Sequence, residues 1–422
     1  MKKRIWAVGV CAALAVGVAL SLMGHTKSKE IAAKGADLME GIQKNQVQSN
    51  MDITKDGAVV FTDFGVRLLQ KTKDKEQNTL ISPFSIICAL GMTANGAEGQ
   101  TLKQMEQVFG IGREELNSYL YTYVNALPNG KNYKLSVANS IWFKEDKNFT
   151  VKQDFLQINA DWYGAGLYKE IFNNTTADKI NNWVKEHTDG MIPKILSEVP
   201  EDAVMYLVNA LAFDAEWETI YRESQVHDGI FTTEEGKEQK TELMYSTEHL
   251  YLEDEDAIGF IKYYAERKYA FAALLPKNGV SVADYIDSLS GEKVYTMLNS
   301  ATEITVNAAI PKFQCEYGIE LSEVFQGLGM TDAFDSKMAD FSGIGSYKDQ
   351  NLFINRILHQ TFIAVDERGT KAGAATAVEM ARGLSLIEEK QVYLNRPFVY
   401  LLIDCNADVP VFIGTVRGLE EN

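Results

Sequence analysis

Apolar residues change their spacing repeatedly along this chain, and each change predicts an element. Across residues 59–70 they recur every three or four positions, which predicts an amphipathic helix. Pro83 opens a second helix, Ile86-Ile-Cys-Ala-Leu-Gly-Met, with Ser82 placed to cap it. The helical spacing returns over residues 101–109, 113–127 and 178–186. Residues 135–143 alternate apolar and polar, as a half-buried strand does, and 203–212 reads as a buried strand. Met244, Tyr251 and residues 260–264 and 270–275 predict a strand-rich middle, and 303–313, 361–365, 398–403 and 411–415 add further strands. Helices and strands mix without regular β-α alternation, so the class is α+β rather than doubly wound.

One alternating stretch differs from the rest. Thr370, Ala372, Ala374, Thr376 and Val378 share one face, and Lys371, Gly373, Ala375, Ala377 and Glu379 share the other. The first face is small enough to pass between existing strands, and both charges lie on the second, away from burial. If this face does enter a sheet, Thr370 is the first inward residue to do so. An Ala-rich loop or short helix is the alternative, because Ala is the best helix former. Gly369, Gly373 and Gly383 and the β-branched Thr370, Thr376 and Val378 weaken that alternative.

Net charge is -17, with 58 acidic residues against 41 basic, and -20 once Lys2, Lys3 and Arg4 are set aside. Such a surface repels nucleic acid and anionic membranes, so neither is an expected partner. Lys2, Lys3 and Arg4 precede residues 5–23, which carry no charge. Residues 1–24 are therefore expected to be an export signal or an N-terminal anchor with the rest of the chain outside. Residues 25–56 are polar and read as a tether, followed by a single domain over 57–422. The protein is expected to be extracellular or at the cell surface, either secreted or held by residues 5–23. With Cys11 of the expected signal set aside, Cys88, Cys315 and Cys405 are an odd, widely spaced set that gives neither a disulfide framework nor a metal cluster. Cys88 sits in an apolar helical pattern, where a thiol acts as a small hydrophobe.

The sequence lacks His-Glu-x-x-His, Gly-x-Ser-x-Gly and any phosphate-binding glycine loop, so catalysis and a cofactor are not expected. Ser290-x-x-Lys293 stands in a polar segment without companion motifs.

Glu367-Arg-Gly-Thr-Lys-Ala-Gly-Ala-Ala-Thr, followed by Asn395-Arg-Pro-Phe-Val-Tyr-Leu-Leu-Ile, resembles the hinge and downstream strand of inhibitory serpins. Further blocks resemble the family in the same order: Asn78-Thr-Leu-Ile-Ser-Pro-Phe-Ser-Ile-Ile-Cys-Ala-Leu-Gly-Met, Ala97-Glu-Gly-Gln-Thr, Ala138-Asn-Ser-Ile-Trp-Phe, Ile180-Asn-Asn-Trp-Val and Thr188-Asp-Gly-Met-Ile. Leu207-Val-Asn-Ala-Leu-Ala-Phe, Ile310-Pro-Lys-Phe and Gly329-Met-Thr-Asp-Ala-Phe complete the set. One departure is Asp214-Ala215, where relatives usually carry Lys-Gly.

The resemblance implies a serpin fold with three β-sheets, eight or nine helices and an exposed reactive-centre loop. It implies a suicide inhibitor of serine proteases, with cysteine proteases as a second target class. The target's acyl-enzyme would be trapped when the cleaved loop inserts into the central sheet. No residue of the inhibitor is then catalytic, and a monomer is expected. The hinge would be Glu367, Gly369, Thr370, Ala372, Ala374 and Thr376. Ser82, Ser85, Asn209 and His359 match the family's shutter, a polar cluster where strands part. Trp217 matches the aromatic where insertion begins, or else is ordinary core. Family spacing, seventeen residues inclusive from Glu367, places the cut after Gly383. One step back gives Arg382-Gly383, ranked first as a trypsin-like site, and one step forward gives Leu384-Ser385. In polysaccharide-binding serpins the second helical region tends to be basic. Here Glu114, Glu115 and Asn117 occupy it, so no heparin-type cofactor is expected. The alternative is a non-inhibitory serpin acting as a binding or carrier protein. That rival would spoil the hinge with Pro or with bulky or charged inward residues, and none is present.

Overall fold

A computed structural model describes residues 36–49, 54–73, 77–200, 203–347, 351–370 and 389–419. Near its start lies α1 (Lys55–Thr72), capped by Thr54, whose hydroxyl accepts from Gly57 N–H at 3.2 Å. In α2 (Pro83–Ala94) Pro stands at the first position, where its missing N–H has no helical partner to lose, and Ser82 caps the helix. Every residue of α2 is buried, so this helix is apolar on all sides and lies inside the protein. The amphipathic helices α3 (Gly99–Phe109), α4 (Arg113–Ala126) and α5 (Gln153–Tyr163) follow. Then come α6 (Thr176–His187), α7 (Val282–Ser288), α8 (Gly291–Asn299) and α9 (Ser322–Gly327). The described residues thus hold nine α-helices and three sheets.

The seven-stranded sheet contains β1 (Ala36–Asp37), β2 (Tyr133–Lys144), β3 (Gly166–Glu170), β4 (Met205–Glu216), β5 (Phe313–Glu320), β6 (Arg356–Val365) and β7 (Gly369–Thr370). Their order across the sheet is β1-β3-β2-β4-β7-β6-β5. A nine-stranded sheet between Thr79 and Val416 packs on its inner face, and Gly345–Tyr347 pairs with Phe149–Val151 as a small third sheet. Alternation assigns the two faces of β4. Leu207, Leu211 and Phe213 join the main core, while Tyr206, Val208 and Ala210 face a second cluster built on Ile180 and Val184 of α6. Ile180 and Val184 of α6 thus share one cluster with Ala138 and Trp142 of β2 and Leu358 of β6.

Part of the polar tether belongs to the body. Ala36 and Asp37 pair with Lys169 and Tyr168 of β3, and Leu38 N–H donates to Leu167 O at 2.9 Å. Asn45 bonds Asp161 through backbone (2.7 Å) and side chain (3.1 Å), and Ser49 meets Thr122 at 2.6 Å. The compact unit thus starts at Ala36 rather than at 57, and β1 covers what would be an open sheet edge. A polar composition concealed this, because edge pairing uses backbone groups that any side chain allows. Residues 1–35, with the expected signal or anchor, lie outside the described residues.

Candidate functional site at the head of the seven-stranded sheet

Strands β4 and β6 pair in parallel from Arg356↔Tyr206 to Phe362↔Ala212 and diverge beyond that row. The chain turns back into the gap. Asp366 N–H donates to Gly369 O at 2.9 Å, and the Asp366 carboxylate accepts from Arg368 N–H at 2.8 Å and Gly369 N–H at 3.2 Å. Strand β7 then pairs antiparallel on both sides, with Val365↔Thr370 against β6 and Gly369↔Glu216 and Thr370↔Ala215 against β4. Only glycine fits at 369. Its φ is +156°, and a Cβ there would stand 2.0 Å from Ala215 O.

Aromatic rings hold this turn from below. Thr370 is fully buried, and its hydroxyl meets Tyr264 OH at 2.7 Å. Tyr264 stacks on Trp217 with centroids 4.3 Å apart. The Trp217 indole N–H donates to Asp366 O at 2.9 Å and its backbone N–H to Arg368 O at 2.8 Å. Tyr221 N–H donates to Glu367 O at 2.9 Å. Buried Lys262 lies 4.5 Å from the Tyr221 ring and 5.3 Å from that of Trp217, and pairs with Glu248 at 2.9 Å. Glu367 pairs with Lys312 at 3.1 Å, and Lys312 also reaches Glu242 at 2.8 Å. Partial burial pushes the Glu367 carboxyl up, but hydrogen bonds and the Lys312 and Arg368 charges hold it below its ordinary value.

Further down the same strands lies a polar cluster. Ser82 N–H donates to His359 Nε2 at 3.1 Å, so that nitrogen is the acceptor and Nδ1 carries the proton. Nδ1 donates to Asn209 Oδ1 at 2.5 Å, which also accepts from Ser85 Oγ at 2.9 Å. Asn209 Nδ2 donates in turn to Asn139 on β2. One hydrogen-bonded chain thus crosses β2, β4 and β6 and ends on the cap of α2, at the rows where β4 and β6 still touch.

The profile of the family described as Serpin (serine protease inhibitor) matches residues 60–418. The chain belongs to the serpin family. It is 31% identical to a leukocyte elastase inhibitor of Xenopus tropicalis, covering 81% of this serpin and 93% of the relative. It is 28% identical to an uncharacterized serpin-like protein of Thermococcus kodakarensis, covering 87% and 88%. Among solved structures, the thermophilic serpin tengpin in its native state superposes with a TM-score of 0.88 at 48% identity, over 92% of this chain and all of the other. Tengpin in its latent state gives 0.78 at 45% identity, over 89% of this chain and all of the other.

The structure brings the sequence-singled residues of this serpin into two groups on one pair of strands. Glu367, Gly369, Thr370 and Trp217 meet at the head, and Ser82, Ser85, Asn209 and His359 meet midway. Thr370, expected to enter only on insertion, is already seated. Ala372, Ala374, Thr376, Arg382, Gly383, Leu384 and Ser385 lie outside the described residues. Sequence reasoning missed Asn139, Tyr221, Lys262 and Tyr264. Two of these carried a signal: Asn139 occupies an inward position of an alternating strand, and Lys262 interrupts an apolar one.

The His359 geometry fixes a pH dependence. Burial pulls its pKa down to about 3 from 6.5. A histidine with a depressed folded pKa stabilises fully above its unfolded value, and that contribution is lost as pH falls from 6.5 toward 3. The slope approaches 1.4 kcal/mol per pH unit. Urea unfolding at pH 6.5 and pH 5 should therefore differ by about 2 kcal/mol more in the parent than in His359→Asn. Equal pH slopes would mean that His359 is not the titrating group.

Proposed function

We propose that this serpin inhibits serine proteases, with cysteine proteases as a second target class, by trapping the acyl-enzyme. The protease nucleophile attacks a loop carbonyl, the peptide bond breaks, and the new amine departs with the C-terminal fragment. The hinge then continues as a strand between β4 and β6 and carries the esterified protease with it. Distortion of the protease site stops deacylation, since a displacement of about 1 Å can cost a hundredfold in rate.

The seat of Thr370 carries this reading. Its pairing with Val365 and Ala215 supports the reading, because the same register, if continued on insertion, would give each later hinge residue an inward row. Ala372 would enter between Ile363 and Phe213, Ala374 between Thr361 and Leu211, and Thr376 between His359 and Asn209. Each of these is an inward row, and none of the arriving side chains is larger than threonine. At the Thr376 row the His359–Asn209 bond must open, and the threonine hydroxyl can replace the partner each loses. Human thyroxine-binding globulin shares the fold at 21% identity and a TM-score of 0.77, so fold alone does not separate inhibitors from carriers.

Incubation with a protease panel, detergent gels and the mass of the released peptide test the reading. The expected result is a detergent-stable complex and a peptide starting at Gly383 or Ser385. Complete cleavage without any complex would favour a carrier. For the reactive bond we propose Arg382-Gly383 first and Leu384-Ser385 second. Arg382→Ala should abolish complexes with trypsin-like proteases, whose acidic pocket pairs with a guanidinium, and spare elastase-like ones. Leu384→Asp should do the reverse. Normal inhibition by both variants would place the bond elsewhere in the loop. We further propose that the protein is an exported monomer, held by residues 5–23 or released by cleavage after them. Fractionation and the mature N-terminal sequence decide that point.

A further inference from the structure

Lys262 interrupts an otherwise apolar strand, Ala257–Tyr263 of the nine-stranded sheet, and is only 3% exposed. Taking an ammonium out of water is costly, so a buried lysine needs partners that hold it there. One is the Glu248 carboxylate at 2.9 Å, whose same oxygen accepts from Ser246 Oγ at 2.6 Å. Ser246 Oγ in turn lies 3.2 Å from Tyr221 OH. The others are two rings, Tyr221 at 4.5 Å and Trp217 at 5.3 Å. Burial pulls the Lys262 pKa down, but the Tyr221 and Glu248 groups outweigh it, so the side chain keeps its charge. Those two rings belong to the residues that grip the turn leading into the gap between β4 and β6. Trp217 Nε1 donates to Asp366 O, Tyr221 N–H to Glu367 O and Trp217 N–H to Arg368 O, so three successive carbonyls are held. The indole aims its N–H at Asp366 O in one ring orientation only. Tyr264 stacks on the ring and Phe271 meets it edge-on at 6.0 Å, but stacked rings can slide past each other. An ammonium drawn to the ring face resists that slide.

We propose that Lys262 is a positioning residue for strand insertion, holding Trp217 and Tyr221 so that the turn at Asp366, Glu367 and Arg368 stays fixed while the chain beyond it enters the sheet. The proposal rests on the inhibitory reading. Thr370 is already seated between β4 and β6, so the turn before it is the pivot about which insertion proceeds. A fixed pivot presents the chain to the gap in one place. A loose pivot spreads it over many, and deacylation of the trapped protease gains time to compete. Stability alone does not account for the lysine, because apolar replacements of buried ion pairs are often neutral or stabilising. A methionine would fill the same space without the desolvation cost. It would not supply an attraction aimed at two rings at once.

Lys262→Met combined with Glu248→Gln tests this, because the double variant leaves no orphaned charge and keeps an acceptor for Ser246. Hydrogen exchange on the uncut protein reads the grip directly. The amides of Trp217 and Tyr221, which donate to Arg368 O and Glu367 O, should exchange about tenfold faster than in the parent, while those of the buried strand Tyr269–Pro276 keep their parental rate. The number of inhibitor molecules consumed per protease trapped should rise about threefold or more, with the loop cut at the parental rate. The thermal midpoint should stay close to the parental value, since no buried charge is left unpaired. Parental exchange at Trp217 and Tyr221 overturns the proposal and leaves the inhibitory reading intact. So does a lowered midpoint with faster exchange throughout, which is the behaviour of a purely structural lysine. Faster local exchange with an unchanged partition overturns the role in insertion. Absence of a detergent-stable complex in the parent overturns the inhibitory reading and this one together.

Discussion

Cutting the loop near Arg382 should raise the melting temperature by roughly 10 °C or more, although a chain break normally loosens a protein. At this size each kcal/mol moves the midpoint by only about 1–2 °C, so the expected shift demands a large structural gain. The resting sheet shows where it would come from. β4 and β6 share a parallel ladder over seven residue pairs, and among the described residues Gly369 and Thr370 occupy the wedge between them. Insertion replaces that ladder with two antiparallel ones, each of about the same length, and parallel pairing is the weaker kind. Ala372, Ala374 and Thr376 would enter the core in the same step. Intact protein held at the same temperature provides the control, and calorimetry before and after limited trypsin digestion is the measurement. An unchanged or lower midpoint with fully nicked loop would show that the resting state stores no such strain and would favour the carrier reading.

How much of this was legible beforehand differs between elements for physical reasons. Long periodic helices were read within two to four residues, as with residues 59–70 against Lys55–Thr72. Ser82 was identifiable as a cap because Pro83 follows it and an apolar run follows that. Helices α7, α8 and α9 are 7, 9 and 6 residues long, too short for a period to emerge, and they went unread. The polar cluster was placed through resemblance, since a buried His, Asn and Ser hundreds of positions apart leave no local signature. Tyr264 and Tyr221 were hidden among other aromatics, and the contacts that matter, a hydroxyl on Thr370 and a backbone N–H on Glu367, exist only after folding.

Thr370→Arg should turn the inhibitor into a substrate, lowering the yield of covalent complex roughly tenfold or more. In the parent, Thr370 is fully buried, with its hydroxyl 2.7 Å from Tyr264 OH between the diverging ends of β4 and β6. A guanidinium cannot occupy that seat. It would face the stacked Tyr264 and Trp217 rings with no carboxylate on the inward row, since the nearby Glu216 belongs to the Gly369 row. The resting protein can meet this by lifting residue 370 out of the sheet, at the loss of its pairing with Val365 and Ala215 and of the Tyr264 hydrogen bond. The cleaved protein cannot, because every later row lies beyond this one. Proteases should therefore cut the variant loop at the parental rate while the complex band nearly disappears, and the cut variant should show little of the thermal gain. Thr370→Ser keeps the hydroxyl and should behave as the parent. If Thr370→Arg trapped protease normally, the strand would be entering without passing this row, and the seat described here would not be the start of insertion.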